Sequence, residues 1–418
     1  MKKKIITLLS SLLLLLAFVY YFVPDEQINE YAKLFQMEQA EVSEAAETDR
    51  ETIKLQIPAS TGEDTKIQES QSREETEGGV RTEAETEAGE KNAALLSEVK
   101  LPGHLLYYYE ILSDEEKSLY RELYAIMADH MEYTNVGTTD SKRVGQLMEY
   151  VLLDNPELFY IDSLKTQTTT IGSNVSMAVM AEENMTENEQ NTAKANIENY
   201  KNVCFANIRS DMSDYEKALS IYEYVVTHLK YIKGAPYNQS LYSAVLGESV
   251  CRGYACAFKY LCDEAGIDCI VVTGSMQGEN HAWNMVRIDG VWCQVDCTAG
   301  DDLEDVGYAV DYSWFGGSDS YMQATHTLSG GVTLPAADSM ANFYYVRQGL
   351  YFDSYDFEKL SALLGTGCNF SFQCANQAVY DQYQYEMSNS QDVARAIGQG
   401  KSVSYMGNGN TYTIYVEF

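Results

Sequence analysis

The sequence predicts an α+β fold in which a helix that opens at a cysteine packs on an antiparallel sheet carrying a histidine and an aspartate. Three observations predict it. Beyond Cys251, the apolar residues Tyr254, Ala257, Phe258, Leu261 and Ala265 recur at intervals of three and four, and Gly266 suits the left-handed position just past the helix end. Two β-rich runs, Asn280–Ile288 and Val291–Thr298, meet at Asp289-Gly290, a two-residue hairpin signal. Upstream, Ser113-Asp-Glu-Glu116 and Ser213-Asp-Tyr-Glu216 are capping boxes that open amphipathic helices.

The remaining elements follow in chain order. Met1-Lys-Lys-Lys4 precedes an uncharged run over Ile5–Val23, long enough as a helix to cross the hydrocarbon core of a bilayer. No small-residue cleavage site follows it, so residues 1–24 are expected to be an uncleaved signal anchor with the lysines inside and the rest of the chain outside. Residues 25–98 carry 20 acidic and 7 basic side chains and few apolar ones, the composition of a disordered acidic tether. A helical region is expected over 99–165, ending a helix at Asn155-Pro156 and continuing into a strand at Leu158–Ile161. The catalytic domain is expected over 166–318. It opens with two strands around Gly172-Ser-Asn174, a helix over Glu187–Ile208 and another from Asp214 to about Tyr231. A small C-terminal α/β domain is expected over 319–418, with strands near Phe343–Val346 and Leu350–Phe352, a helix near Phe357–Leu364 and a hairpin across Gly407–Asn410.

Charge narrows the partners. The chain of 418 residues has 29 Lys+Arg against 62 Asp+Glu, a net charge of −33. No basic surface of the kind that releases phosphate counterions is available at that balance, so nucleic acid is excluded as a partner. The tether accounts for −13 and the three anchor lysines for +3, leaving −23 on residues 99–418. The folded part is acidic in its own right, which favours cationic peptide segments as partners.

Chemistry concentrates between Cys251 and Asp296. A thiol at a helix start meets unpaired backbone N–H groups and the positive end of the helix dipole, both of which favour a thiolate nucleophile. The hairpin places Ile288 opposite Val291 and therefore Asp296 opposite Trp283, with His281, Trp283 and Asp296 on one face. His281 and Asp296 become diagonal neighbours within side-chain reach. Such a pair takes the thiol proton, returns it to a leaving amine and holds the imidazole tautomer. The backbone N–H of Cys251 is a natural oxyanion donor, and Tyr231, Asn238 or Gln239 could supply a second. His104, His130, His228 and His326 have no partner pattern and read as helix-surface or loop residues.

Cys251-Arg-Gly-Tyr-Ala at a helix start, Asn280-His-Ala-Trp-Asn284 on a strand and Trp292-x-x-Val-Asp296-x-Thr298 on the next resemble the transglutaminase-like superfamily of papain-like cysteine enzymes. The resemblance covers roughly residues 200–300. It implies a papain-like core with Cys251, His281 and Asp296 as the triad. It also implies acyl transfer at peptide or isopeptide amides through a thioester, by hydrolysis or cross-linking, in a bacterial surface protein acting on protein or peptide substrates. A non-catalytic adhesion or scaffold module on the same fold is the alternative.

No cofactor or metal is expected. The nine cysteines include no C-x-x-C pair, and Gly398-Gln-Gly-Lys-Ser402 lacks the first glycine of a phosphate loop. Cys293 and Cys297, on one strand, would stand too far apart for a disulfide, whereas Cys368 and Cys374 could meet only across a turn. Asp301-Asp-x-Glu-Asp305 reads as a solvated acidic loop rather than a calcium site.

Overall fold

The computed structural model describes residues 50–54, 99–171, 173–301, 309–398 and 402–418. The anchor expected over 1–24 and the tether expected over 25–98 lie outside them, save for Arg50–Lys54. None of the helices among the described residues is long and apolar enough to cross a membrane.

Arg50–Lys54, where no structure is expected, is a strand (β1). The next elements are α1 (Asp114–Ala128), β2 (Thr134–Val136), α2 (Ser141–Asp154), β3 (Ile161–Ile171) and β4 (Asn174–Glu183). The strands form a sheet of order β1-β3-β4-β2. The Ser113 box caps α1 as expected, and α2 stops before Pro156. A 3₁₀ turn over Pro156–Leu158 replaces the start of the expected strand, because Asn155 and Pro156 leave the chain in a tight turn that buries Leu158, Phe159 and Tyr160.

Two helices follow, α3 (Glu187–Phe205) and α4 (Asp214–His228), each opened by a capping box. The α4 helix ends three residues before Tyr231, which instead lies on a short strand, β5 (Lys230–Tyr231). The chain then runs through α5 (Leu241–Val245), β6 (Glu248–Ser249) and α6 (Cys251–Glu264). Next come β7 (Cys269–Met276), β8 (Glu279–Ile288), β9 (Val291–Val295) and a short helix, α7 (Cys297–Gly300). Asp289 and Gly290 both take positive φ, the geometry of a two-residue hairpin. Ile288 pairs with Val291, the expected register.

This central sheet gains two edge strands, β10 (Phe315–Gly317) and β11 (His326–Leu328), giving the order β10-β9-β8-β7-β11. The boundary expected at 318 therefore falls too early: residues up to Ala337 share the main core. A second core begins at Phe352. It is built on β12 (Tyr351–Phe352), α8 (Phe357–Gly365), β13 (Phe370–Cys374), α9 (Gln377–Asn389), α10 (Gln391–Ile397) and the hairpin β14 (Ser404–Asn408) and β15 (Thr413–Glu417). Tyr344–Arg347 is a helical turn, not the expected strand.

The N-terminal helices do not form a region of their own either. Residues Leu106 to Leu164 belong to the same core as α6 and β7. Polar ties reinforce the joint: buried Lys259 of α6 donates to Leu105 O (3.2 Å), Cys269 O (3.0 Å) and Asp263. Tyr108 reaches Val271 O at 2.7 Å, and buried Arg252 pairs with Glu149 of α2.

Gly253 explains the glycine of the Cys-Arg-Gly run. A Cβ there would lie 1.9 Å from Ser249 Oγ and 2.8 Å from Ser243 Oγ. Those hydroxyls are bonded to each other at 2.6 Å, and Ser249 Oγ also donates to Asn238 O, so neither can move aside without losing a buried bond. Gly253→Ala is expected to cost about 1–3 kcal/mol of stability through overpacking, measurable by urea unfolding.

Candidate active site

Cys251 is the first residue of α6, where a backbone N–H has no acceptor inside the helix, and Val250 offers no side-chain cap. Cys251 is buried, at 8% exposure. The β8–β9 hairpin delivers the other two groups. His281 lies near the start of β8, and Asp296 lies one residue beyond β9. His281 Nε2 donates to Asp296 Oδ2 at 2.7 Å. Nδ1 is left free of the carboxylate, and the Cys251 thiol is near enough to the ring to favour its charged form. Of the sequence-predicted residues, His281 and Asp296 are thus hydrogen-bonded to each other, with Cys251 near enough to influence the imidazole.

Asp296 departs from the expected strand. It is the N-cap of α7, and its Oδ1 accepts from Thr298 N (2.9 Å) and Ala299 N (3.1 Å). The strand expected to run to Thr298 ends at Val295 because an aspartate followed by free N–H groups caps a helix turn more favourably than it extends a ladder. Cys297 is consequently helical, and all nine cysteines are free thiols.

The expectation for His326 is corrected. It is buried at 4% exposure on edge strand β11, and its Nε2 donates to the same Asp296 Oδ2 at 3.0 Å. Thr325 Oγ1 lies 2.8 Å from its Nδ1, and Trp283 and Trp314 meet the ring edge-on. His104 is also not a plain surface residue, since Nε2 lies 3.0 Å from Asp154 O; His130 and His228 are exposed. The pairing His326↔Met276 is set by an edge strand arriving after a long connection, which no local pattern announces.

Asp296 therefore has four donors, two imidazole and two backbone. Burial opposes its charge, but His281 and His326 overcome that and hold the carboxyl well below the usual carboxylate range. For His281, burial opposes the charged form, but the Asp296 carboxylate and the Cys251 thiol outweigh it and push the imidazole up to about 10. His281, Asp296 and His326 also place three possible metal-ligand atoms within 4.8 Å of one another. All three side chains already satisfy one another by hydrogen bonds, so a cation there would have to displace the contacts that join the imidazole to the carboxylate.

The site opens on a cleft of about 530 Å³ lined by His281, Tyr231, Lys233, Glu279 and Asp301, with Asn408 and Asn410 of the C-terminal hairpin at its wall. Tyr254 donates to Asp301 at 2.6 Å. The rest of the acidic run expected as a solvated loop, to Asp305, lies outside the described residues.

Residues 202–297 match the Transglutaminase-like superfamily, and the match contains Cys251, His281 and Asp296. The chain carries a transglutaminase-like domain. It is also similar to the kyphoscoliosis peptidases of Mus musculus (31% identity over 111 residues) and Homo sapiens (30% over 111 residues). Each alignment spans 22% of this chain and 17% of the relative, so most of the length of those proteins has no counterpart in it. Among solved structures, a TGase is similar at 16% identity over 41% of this chain and 52% of that one, with a TM-score of 0.25. A protein of Cytophaga hutchinsonii described as a candidate cysteine protease is similar at 14% identity over 32% and 61%, with a TM-score of 0.22. The transglutaminase-like domain, with its α+β papain-like core, fits the cysteine peptidase and acyltransferase class in general.

The raised value of His281 has a sign for stability. Its unfolded value is near 6.5, so the ion pair's contribution is complete below about pH 6.5 and is lost as pH rises through about 10. In an imidazole ¹⁵N NMR titration, His281 should deprotonate near pH 10. Asp296→Asn should move that titration down by more than one pH unit.

Proposed function

We propose that the protein is a cysteine-dependent acyl-transfer enzyme acting on peptide or isopeptide amides, with Cys251 as nucleophile, His281 as acid and base and Asp296 as orienter. The observation that carries this reading is the His281–Asp296 pair, hydrogen-bonded at 2.7 Å, with the Cys251 thiol at the start of α6 close enough to act on the imidazole. His281 uses Nε2 for the carboxylate and Nδ1 for the thiol. In the reactive thiolate–imidazolium pair the Cys251 proton resides on Nδ1; the thiolate attacks the amide carbonyl carbon, and Nδ1 gives that proton to the departing amine to leave a thioester.

Hydrolysis of that thioester is favoured over cross-linking, because the cleft beside His281 is lined largely by polar and charged side chains that admit water. We further propose that the enzyme faces outward from a membrane, held by the hydrophobic segment at residues 5–23, and meets protein or peptide substrates there. Glu279 and Asp301 in the cleft, together with the acidity of the folded part, support a preference for cationic peptides.

Two measurements test this. Iodoacetamide should label Cys251 far faster than the other eight cysteines, and Cys251→Ala should reduce peptide-library turnover at least about a thousandfold. Equal labelling of all nine thiols would instead indicate a scaffold module. Turnover of cationic peptides should fall as salt is raised from 0.01 to 1 M, whereas that of neutral peptides should stay level.

A further inference from the structure

An acyl-transfer site needs two donors for the oxyanion, and the Cys251 N–H is one. Three residues upstream of α6 stand as candidates for the second, and the structure separates them. Asn238 and Gln239 line a different cavity, of about 400 Å³, with Leu152, Asn155 and the α6 residues Arg252 and Cys256. The Asn238 carbonyl is committed there, accepting from Val250 N at 3.1 Å and Ser249 Oγ at 2.9 Å.

Tyr231 goes the other way. The parallel β5–β6 ladder sets it beside Ser249, two residues before the nucleophile, and Ile232 N donates to Ser249 O at 2.9 Å. Its side chain lines the 530 Å³ cleft together with His281 and is 43% exposed, so its hydroxyl is available to a bound molecule. The Trp283 indole is already used, since its Nε1 donates to Gln294 at 2.8 Å.

We propose that the Tyr231 hydroxyl is the second oxyanion donor, paired with the Cys251 backbone N–H. The inference rests on the acyl-transfer reading. As the Cys251 Sγ–C bond forms, the carbonyl π electrons move to oxygen, and Tyr231 O–H and Cys251 N–H donate to that oxyanion. Collapse restores C=O and breaks the C–N bond, with the proton from His281 Nδ1 going to the amine. Water then attacks the thioester, giving its proton to His281 and passing through a second oxyanion in the same place before the C–S bond breaks. Burial, and the neighbouring Cys251 and Glu279, shift Tyr231 upward, so the phenol remains a protonated donor across the neutral range.

The test uses the full chain and two thiol reagents. Iodoacetamide alkylates Cys251 by direct displacement and forms no oxyanion; p-nitrophenyl acetate acylates it through one. Tyr231→Phe should leave alkylation within about twofold of the wild type and slow acetylation of Cys251, followed by intact mass, about a hundredfold. Tyr231→Gln, which returns an N–H donor, should recover part of that loss. Equal acetylation rates in wild type and Tyr231→Phe would overturn the assignment, and so would equal slowing of both reagents, which reports a disturbed thiol. A wild-type Cys251 that neither reagent modifies selectively would overturn the acyl-transfer reading itself.

Discussion

The buried carboxylate of Asp296 is the constraint around which the centre of this protein is arranged. A fully buried anion without partners would cost several kcal/mol, and here four donors from three directions meet it. Each donor dictates something about the chain. The two backbone N–H groups require β9 to stop and α7 to begin. His281 requires the hairpin register, and His326 requires an additional strand to return along the edge of β7. The Cys251 helix is then held against a sheet whose charged centre is fixed by these four donors.

That arrangement explains how the imidazole can be charged in a mostly apolar surrounding. Burial alone would drive His281 neutral; the adjoining carboxylate reverses the sign. By accepting from His326 as well, Asp296 Oδ2 is fixed from two sides, so the imidazole is oriented by a carboxylate that cannot itself rotate. Trp283 and Trp314 pack edge-on against His326 and hold its ring in place.

Much of this was legible in the residues, for a physical reason. Asp289-Gly290 determines a hairpin register locally, and from the register the His281–Asp296 relation follows by the alternation of a strand. The helix at Cys251 is equally local. His326 was not legible, because its position depends on a non-local edge pairing. The turn at Asp296 carried a signal in its capping chemistry, but strand propensity in Val291–Val295 obscured where the strand would stop. The domain limits misled for another reason: composition marks where apolar residues are, not which core they join. The shared apolar core, together with the buried ties of Lys259 and Arg252, reveals that the N-terminal helices are part of the central body.

Those ties have a consequence for what can be inherited as a unit. The stretch recognisable by sequence, 202–297, contains the nucleophile and its two partners. It lacks His326 on β11, Leu105 beneath the Lys259 ammonium and Glu149 opposite Arg252. Severed at those limits, the segment would leave buried Arg252 without Glu149 and would take one of the three acceptors of buried Lys259 away. The smallest stretch that keeps these contacts is therefore larger than the recognisable one, and a segment cut at 202–297 would carry the triad letters without His326 and Glu149, which hold their surroundings.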